Sequence, residues 1–264
     1  MKHPRLGQHF LKNTAAIASI VRELHIQAGD RIIEIGSGHG ELTRPLLAEI
    51  TARHGSLIAI ERDTELAKAL QDELRDSPAL SIHTGNALFE LPHLAASFAP
   101  EPYCVVGNIP FYITGHLFRV LADLPHKPRR SVFTIQFEVA KRLTAAPPEM
   151  NLLAAAIQLW AEPRIVMKLP RRDFSPQPKV DSAIISCATR ATNPAEEHPR
   201  YYELIRAVFK QPRKTISNNL AAAFPLKTRI AITEFITRAN LRASSRPQDL
   251  SINDLKRLER IMYT

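Results

Sequence analysis

Asn108-Ile109-Pro110-Phe111 lies about seventy residues after a glycine-rich turn, Glu34-Ile35-Gly36-Ser37-Gly38-His39-Gly40. The first run suits chemistry at a base nitrogen. Adenine N6 is a poor nucleophile because its lone pair is delocalised into the ring, so a catalyst must localise it. The Asn108 side-chain oxygen and the following main-chain carbonyl of Ile109 can each accept one N6–H and turn the lone pair toward a methyl carbon. Pro110 stiffens the loop, and Phe111 offers a flat stacking face worth about 1–3 kcal/mol per base. Transfer is then an in-line displacement that depends on positioning, with no covalent intermediate on the protein. The plain alternative for these four residues is an ordinary turn. Read with the upstream glycines, they are the expected catalytic residues of a methyl transfer from S-adenosyl-L-methionine.

Gly36, Gly38 and Gly40 form G-x-G-x-G, with Glu41 where a dinucleotide fingerprint has its third glycine, which argues against a nicotinamide enzyme. Such a turn needs backbone that approaches a ligand without a Cβ in the way. Ile60-Glu61-Arg62-Asp63 follows about twenty residues later. A carboxylate there can accept from two ribose hydroxyls, although Glu61 also reads as a plain surface residue at a strand end. Gly85-Asn86-Ala87 comes next, where a side-chain amide could read an adenine edge; turns containing Asn are common for other reasons. Gly36, Gly38, Glu61, Arg62, Asn86, Ala87 and Asn108 are therefore candidate cofactor-binding residues.

These residues need a scaffold that brings distant strand ends to one crevice. From Arg31 to Cys187, β-rich runs alternate with helix-period segments, which predicts an α/β fold with a doubly wound, Rossmann-like sheet. The strands are expected over Arg31 to Ile35, Ser56 to Ile60, Leu80 to His83, Tyr103 to Val106, Ser131 to Ile135, Arg164 to Lys168 and Ala183 to Cys187. The last two follow one another without a clear helix, which predicts an antiparallel finish at one sheet edge. Leu42 to Leu47, Leu66 to Leu74 and Leu117 to Leu121 carry the three-to-four spacing of sheet-covering helices. Asn13-Thr14 can cap a helix with Ile17, Ile20, Val21 and Leu24 on its apolar face, beside the crevice. Arg190 to Pro199 lacks apolar periodicity and reads as a linker. The expected domains are 1–189, catalytic, and 190–264, a small all-helical appendix with helices over Tyr201 to Phe209, Thr228 to Ala239 and Ser251 to Met262.

The formal charge is +9, and residues 190–264 hold 14 Lys/Arg against 7 Asp/Glu, a net of +7. That asymmetry is the footprint of a domain facing a polyanion, because each phosphate neutralised releases condensed counterions; a solvated helical surface is the bland alternative. Cys104 and Cys187 lie in apolar strand-like runs and read as buried free thiols, and no metal-ligand spacing occurs. The start, Met1 to Gln8, is too polar for a signal peptide, and no window is apolar enough for a membrane span. The expectation is a cytoplasmic protein with no metal and no membrane partner.

With these motifs in view, the chain closely resembles the ribosomal RNA adenine N6-dimethyltransferases, in particular the type that modifies two adjacent adenines near the 3′ end of small-subunit rRNA. The resemblance covers nearly the whole chain. It is carried by Leu6-Gly7-Gln8-His9-Phe10-Leu11, the glycine turn, Glu61, Gly85-Asn86-Ala87 and Asn108 to Phe111. Further on it takes in Gln136 to Leu143, Phe174-Ser175-Pro176-Gln177-Pro178-Lys179-Val180-Asp181-Ser182 and Arg213 to Leu220. It implies that Gln8, His9 and Leu11 close over the donor, Gly36 meets its methionine part, Glu61 holds the ribose and Asn86 the adenine. It also implies that Asn108 bridges donor and acceptor and that Phe174 helps to frame the acceptor base on which Phe111 stacks; the basic helical appendix, with Arg213, Lys214, Lys227 and Arg229, is expected to contact rRNA phosphates. The implied partner is the small ribosomal subunit with its 16S rRNA, and a monomer is expected. Asn86 stands where Asp is commoner, Phe111 where Tyr is usual, and His9 where Asn is frequent.

Three other functions remain open on sequence alone. A related resistance enzyme that methylates one adenine of large-subunit (23S) rRNA shares both catalytic motifs, but the run Phe209 to Ile216 looks like the small-subunit enzymes. A non-catalytic rRNA-binding assembly factor would keep the fold. A small-molecule methyltransferase needs no extended cationic surface, and the basic tail argues against it.

Overall fold

The computed structural model describes residues 8–191 and 198–263. The polar start, including Leu6-Gly7, and residues 192–197 of the expected linker lie outside the described residues.

Nine strands are described: β1 (Phe10–Leu11), β2 (Arg31–Ile35), β3 (Ser56–Glu61), β4 (Leu80–Thr84), β5 (Tyr103–Asn108), β6 (Arg130–Gln136), β7 (Ala161–Leu169), β8 (Phe174–Ser175) and β9 (Ser182–Thr189). Seven form one sheet in the order β4-β3-β2-β5-β6-β9-β7. β4, β3, β2, β5 and β6 run parallel, whereas β9 pairs antiparallel with β6 from Arg130↔Ala188 to Gln136↔Ser182. The expected α/β sheet with an antiparallel strand after the parallel set is thus present. The strand order reverses between β2 and β5. That is the switch point at which the carboxyl ends of neighbouring strands leave a crevice.

Helices cover both faces. On one side α1 (Thr14–Glu23) and α2 (Thr43–Thr51) set Ile20, Leu46 and Ile50 against Ile32, Leu57, Val106 and Val132, all buried. Successive strand residues point to opposite faces, so Phe133 faces the other side and meets Phe118 of α5 (Thr114–Asp123) edge to face at 5.8 Å. α3 (Thr64–Glu73) and α4 (Ala87–Phe98) complete this part of the chain. α1 begins at Asn13, whose side chain accepts from Ala16 N, as the cap reading requires. α4 carries Pro92 in its interior, which hides it from a propensity reading.

A further pairing had no counterpart in the sequence reading. β1 and β8 form a separate two-stranded antiparallel ribbon, Phe10↔Ser175 and Leu11↔Phe174. Lys12 N donates to the Asp173 carbonyl and Asn13 Nδ2 to the Asp173 carboxylate, lengthening this strap.

The chain divides into two compact units, one up to Ala140 together with Pro163–Thr189, the other made of Lys141–Glu162 and Arg190 onward. The second unit therefore takes in Lys141–Glu162, which a boundary at residue 189 leaves with the sheet. Its physical basis is a shared core. Ala154 and Ala155 of α7 (Leu152–Gln158) are buried with Tyr201, Leu204 and Ile205 of α8 (Tyr201–Val208), and the Tyr201 hydroxyl donates to the Ala155 carbonyl. The short α6 (Phe137–Leu143) leads into this segment. α9 (Ile216–Ala223), α10 (Arg229–Arg238) and α11 (Ile252–Tyr263) finish the unit. Of these, α9 was not foreseen, because its eight residues offer only Ile216 and Leu220 as large apolar side chains, too short a run to show a period. Both cysteines are buried free thiols, and among the described residues no helix is long and apolar enough to cross a membrane.

Candidate active site

The parallel register places Gly36, Glu61, the Gly85-Asn86 turn and Asn108 along one edge of the sheet, each at or just past a strand's carboxyl end. The ladder continues beyond those ends: Gly36 N donates to the Ile60 carbonyl, Gly85 N to the Glu61 carbonyl and Ile109 N to the Thr134 carbonyl. A cavity of about 330 Å³ opens there, a size suited to a small-molecule ligand. Its walls include Gln8, His9, Gly36, Gly38, Glu61, Arg62, Asn86, Ala87, Phe174 and the whole run Asn108 to Phe111. Leu11 is not among them. Its side chain is buried and faces a smaller void of about 20 Å³ under the glycine turn, lined also by Ile17, Ile20 and Glu34.

On the donor side, Gly36, Gly38 and Gly40 all have positive φ. At Gly38 the need is steric too, since a Cβ would lie 2.8 Å from the Phe10 ring. That ring packs 4.4 Å from the His39 ring, so the strap crosses directly over the turn. Glu61 is buried, with Oε2 accepting from Gly38 N at 2.8 Å and Oε1 from Asp63 N at 2.9 Å. Each carboxylate oxygen keeps a further lone pair. A buried carboxylate with spare acceptor capacity fits the diol of a ribose, and its charge suits a cationic sulfonium donor. Asn86 caps α4 through Oδ1, which accepts from Leu88 N, and its side-chain N–H₂ remains as a donor. The residues present therefore fit S-adenosyl-L-methionine.

Glu34, beneath the turn, is buried and its Oε2 has no hydrogen-bond partner. Burial pushes its carboxyl up to about 8, partly offset by the Thr43 hydroxyl and reinforced by Glu61 and Glu41 nearby. The shift favours the protonated carboxyl and so lowers the cost of burying Glu34 near Glu61.

On the acceptor side, Asn108 Nδ2 donates to the His9 main-chain carbonyl at 2.6 Å. A carbonyl can only accept, so this bond fixes the amide's orientation and leaves Oδ1 as the free acceptor. The Pro110 carbonyl closes a 3-10 turn over Phe111–Ile113 by accepting from Ile113 N, whereas among the described residues no donor takes the Ile109 carbonyl. Two acceptors thus stand next to each other in the chain, as lone-pair localisation requires. Phe111 lies beside the His9 ring, centroids 5.7 Å apart. Phe174 is 3% exposed and meets the cavity as part of the core.

Arg213 and Lys214 belong to the helical unit. Both are exposed, on a loop clamped by the buried Asn219 amide. Asn219 Oδ1 accepts from Gln211 N, and Nδ2 donates to the Gln211 and Lys214 carbonyls. Sequence reasoning missed that clamp. It also missed Phe10, Tyr112 and His116 as cavity walls; adjacency to the two motifs was the available signal for Phe10 and Tyr112, and His116 gave none.

Comparison with known proteins follows the same lines. The family model described as Ribosomal RNA adenine dimethylase matches residues 1–257. A "Ribosomal RNA small subunit methyltransferase A" of Moorella thermoacetica is 32% identical over 97% of this chain and 91% of its own length. One of the same name from Chlorobaculum tepidum is 37% identical over 82% of this chain and 76% of its own length. Among solved structures, the 23S rRNA methyltransferase ErmE matches with a TM-score of 0.76 at 25% identity, covering 97% of this chain and all of its own. A dimethyladenosine transferase from Plasmodium falciparum matches with a TM-score of 0.75 at 21% identity over 95% of this chain and 96% of its own, which speaks for the fold alone. The match runs through both the sheet and the helical unit, and the chain belongs to the ribosomal RNA adenine dimethylase family.

Proposed function

We propose that this chain transfers methyl groups from S-adenosyl-L-methionine to N6 of two adjacent adenines near the 3′ end of small-subunit (16S) rRNA and takes part in small-subunit biogenesis. It would act in the cytoplasm as a monomer. The observation that carries this reading is the orientation of the Asn108 amide, whose N–H₂ is engaged by the His9 carbonyl and whose oxygen is left for the substrate amine. The small-subunit target is supported by the curated relatives' names.

The donor, when bound, supplies an electrophilic methyl on a sulfonium. Gly36 and Gly38 would admit its methionine part, Glu61 its ribose and Asn86 with Ala87 its adenine; Gln8, His9 and Arg62 would line the mouth. The chain's own work is positional. Asn108 Oδ1 and the Ile109 carbonyl accept the two N6–H groups, Pro110 fixes the turn, and Phe111 stacks on the base while the Phe174 edge bounds it. The adenine must leave its stack to enter, so looped or single-stranded RNA is the fitting substrate. Arg213 and Lys214 would hold rRNA phosphates.

The fit to ErmE favours a second reading, methylation of an adenine of large-subunit rRNA. Incubation with labelled donor and separately with unmodified small subunits, large subunits and free rRNA discriminates. Label in small subunits, recovered as N6,N6-dimethyladenosine, is the expected result; label confined to large-subunit RNA supports the second reading. Subunit binding with no label anywhere defeats both.

A further inference from the structure

We propose that Tyr112 is a specificity-determining residue of this site: its ring stacks on the nucleotide next to the flipped adenine, and so holds one adenine of the pair at the mouth while the other lies in the slot. The inference rests on the reading of the site as an rRNA adenine N6-methyltransferase and deepens it.

A base taken into the cavity leaves its stack. Its neighbour is tied to it by one phosphodiester, so that neighbour comes to rest at the cavity mouth with one face bared. A flat ring there replaces the lost stacking, with little regard to which base it meets. Tyr112 stands where that ring is needed. Single exposed apolar side chains are ordinary on a protein surface, and what separates this one is its place. Of the exposed large apolar residues among those described, Tyr112 alone is also a wall of the cavity. It is 59% exposed, which sets it at the mouth, whereas Phe111 is half-buried and Phe174 buried, further in.

The lip that carries Tyr112 is fixed. Ile113 N donates to the Pro110 carbonyl and Thr114 N to the Phe111 carbonyl, closing the chain on both sides of it. Thr114, Leu117 and Phe118 are buried just beyond and anchor the start of α5. The side chain itself is uncommitted, since among the described residues no hydrogen bond or ring contact takes it. His116, four residues on and so on the same side of the turn, is exposed and walls the cavity too, which extends the lip. Asn108 and Ile109 read the amino group of the base in the slot, and the lip reads that a second base stands beside it. Because the lip lies on one side of the slot, it serves one of the two transfers.

The test uses the full chain and small subunits reconstituted around 16S rRNA in which one or the other of the two adenines is abasic, alongside intact subunits, with transfer to each adenine followed separately. On intact subunits Tyr112→Ala should raise KM about tenfold at one of the two adenines, with kcat and donor affinity nearly unchanged. Tyr112→Phe, which keeps the flat face, should match the unaltered chain. Where the neighbour of that adenine is abasic, the Tyr112→Ala defect should vanish, because the unaltered chain has lost the same contact; a merely structural role would leave the defect in place. A Tyr112→Ala chain equal to the unaltered one on intact subunits, or a defect undiminished on both abasic substrates, overturns the proposal alone. Absence of transfer by the unaltered chain to either adenine of intact subunits overturns both it and the reading beneath it.

Discussion

Asn108 and His9 hold one another: the amide at the end of β5 donates to the carbonyl in the strap that crosses it, at 2.6 Å. The bond ties the acceptor motif to the segment covering the donor side, so the two halves of the cavity are set by one contact. It also links distant parts of the sequence through β1 and β8, because the strap is pinned by Leu11↔Phe174 and Phe10↔Ser175.

Glu34 gives the chain a pH-dependent stability. Burial raises its carboxyl from 4.5 to about 8, so the folded chain holds a proton that the unfolded chain releases in that window. Its contribution is therefore lost progressively as pH rises from 4.5 toward 8. Glu34→Gln, neutral throughout, is expected to flatten this slope and raise Tm at pH 8 by several degrees. Thermal melts of both proteins from pH 5 to 8.5 check it, and parallel slopes count against it.

Asn86 caps α4 with Oδ1 and has no charge to offer an adenine amino group. Asp is an equally good cap and adds a charge-assisted acceptor, worth about 1 kcal/mol more than a neutral one. Asn86→Asp is expected to tighten donor binding by about fivefold with no loss of helix stability. Titration calorimetry with S-adenosyl-L-methionine reads this directly.

Two glycines should separate fold from site. At Gly107 a Cβ would lie 2.4 Å from the Ile35 carbonyl oxygen on the neighbouring strand, where the partner is backbone and has no room to move. Gly107→Ala is expected to cost about 2–3 kcal/mol of stability. At Gly38 the obstacle is the Phe10 side chain, which can swing away. Gly38→Ala should leave stability nearer to normal, apart from the strain of its positive φ, and weaken donor binding through displacement of the strap. Urea unfolding and donor titration on both variants distinguish the two outcomes.

Much of this architecture was legible beforehand. The strand cores of β2 to β7 and β9 follow from apolar β-branched runs, and the order and separation of the glycine turn and Asn108 to Phe111 suit strand ends that share one crevice. The β1-β8 ribbon was not legible, since two residues per strand leave no period to read. Nor was the attachment of Lys141–Glu162 to the helical unit, because Ala154 and Ala155 reveal their partner only when Tyr201 packs on them. Glu34 sat in plain view within the glycine motif, but the rise of its carboxyl depends on burial and on Glu61, which only the fold brings near.

In the helical unit, Arg213→Ala with Lys214→Ala is expected to weaken small-subunit binding and to reduce the slope of log affinity against log salt by about 1–2. Asn219→Ala, which frees the loop without changing charge, should weaken binding while leaving the slope nearly intact. Binding measured from 50 to 300 mM salt checks both, and an unchanged slope in the double variant contradicts the phosphate-contact assignment.

The most direct test of the central claim is single-turnover methyl transfer to unmodified small subunits by the unaltered chain and by Asn108→Ala, with donor binding measured on both. The account expects N6,N6-dimethyladenosine at two adjacent positions from the unaltered chain. It expects a rate at least about 100-fold lower from Asn108→Ala, with donor still bound. Transfer by Asn108→Ala at the unaltered rate, or methyl groups found anywhere but adenine N6, would contradict it.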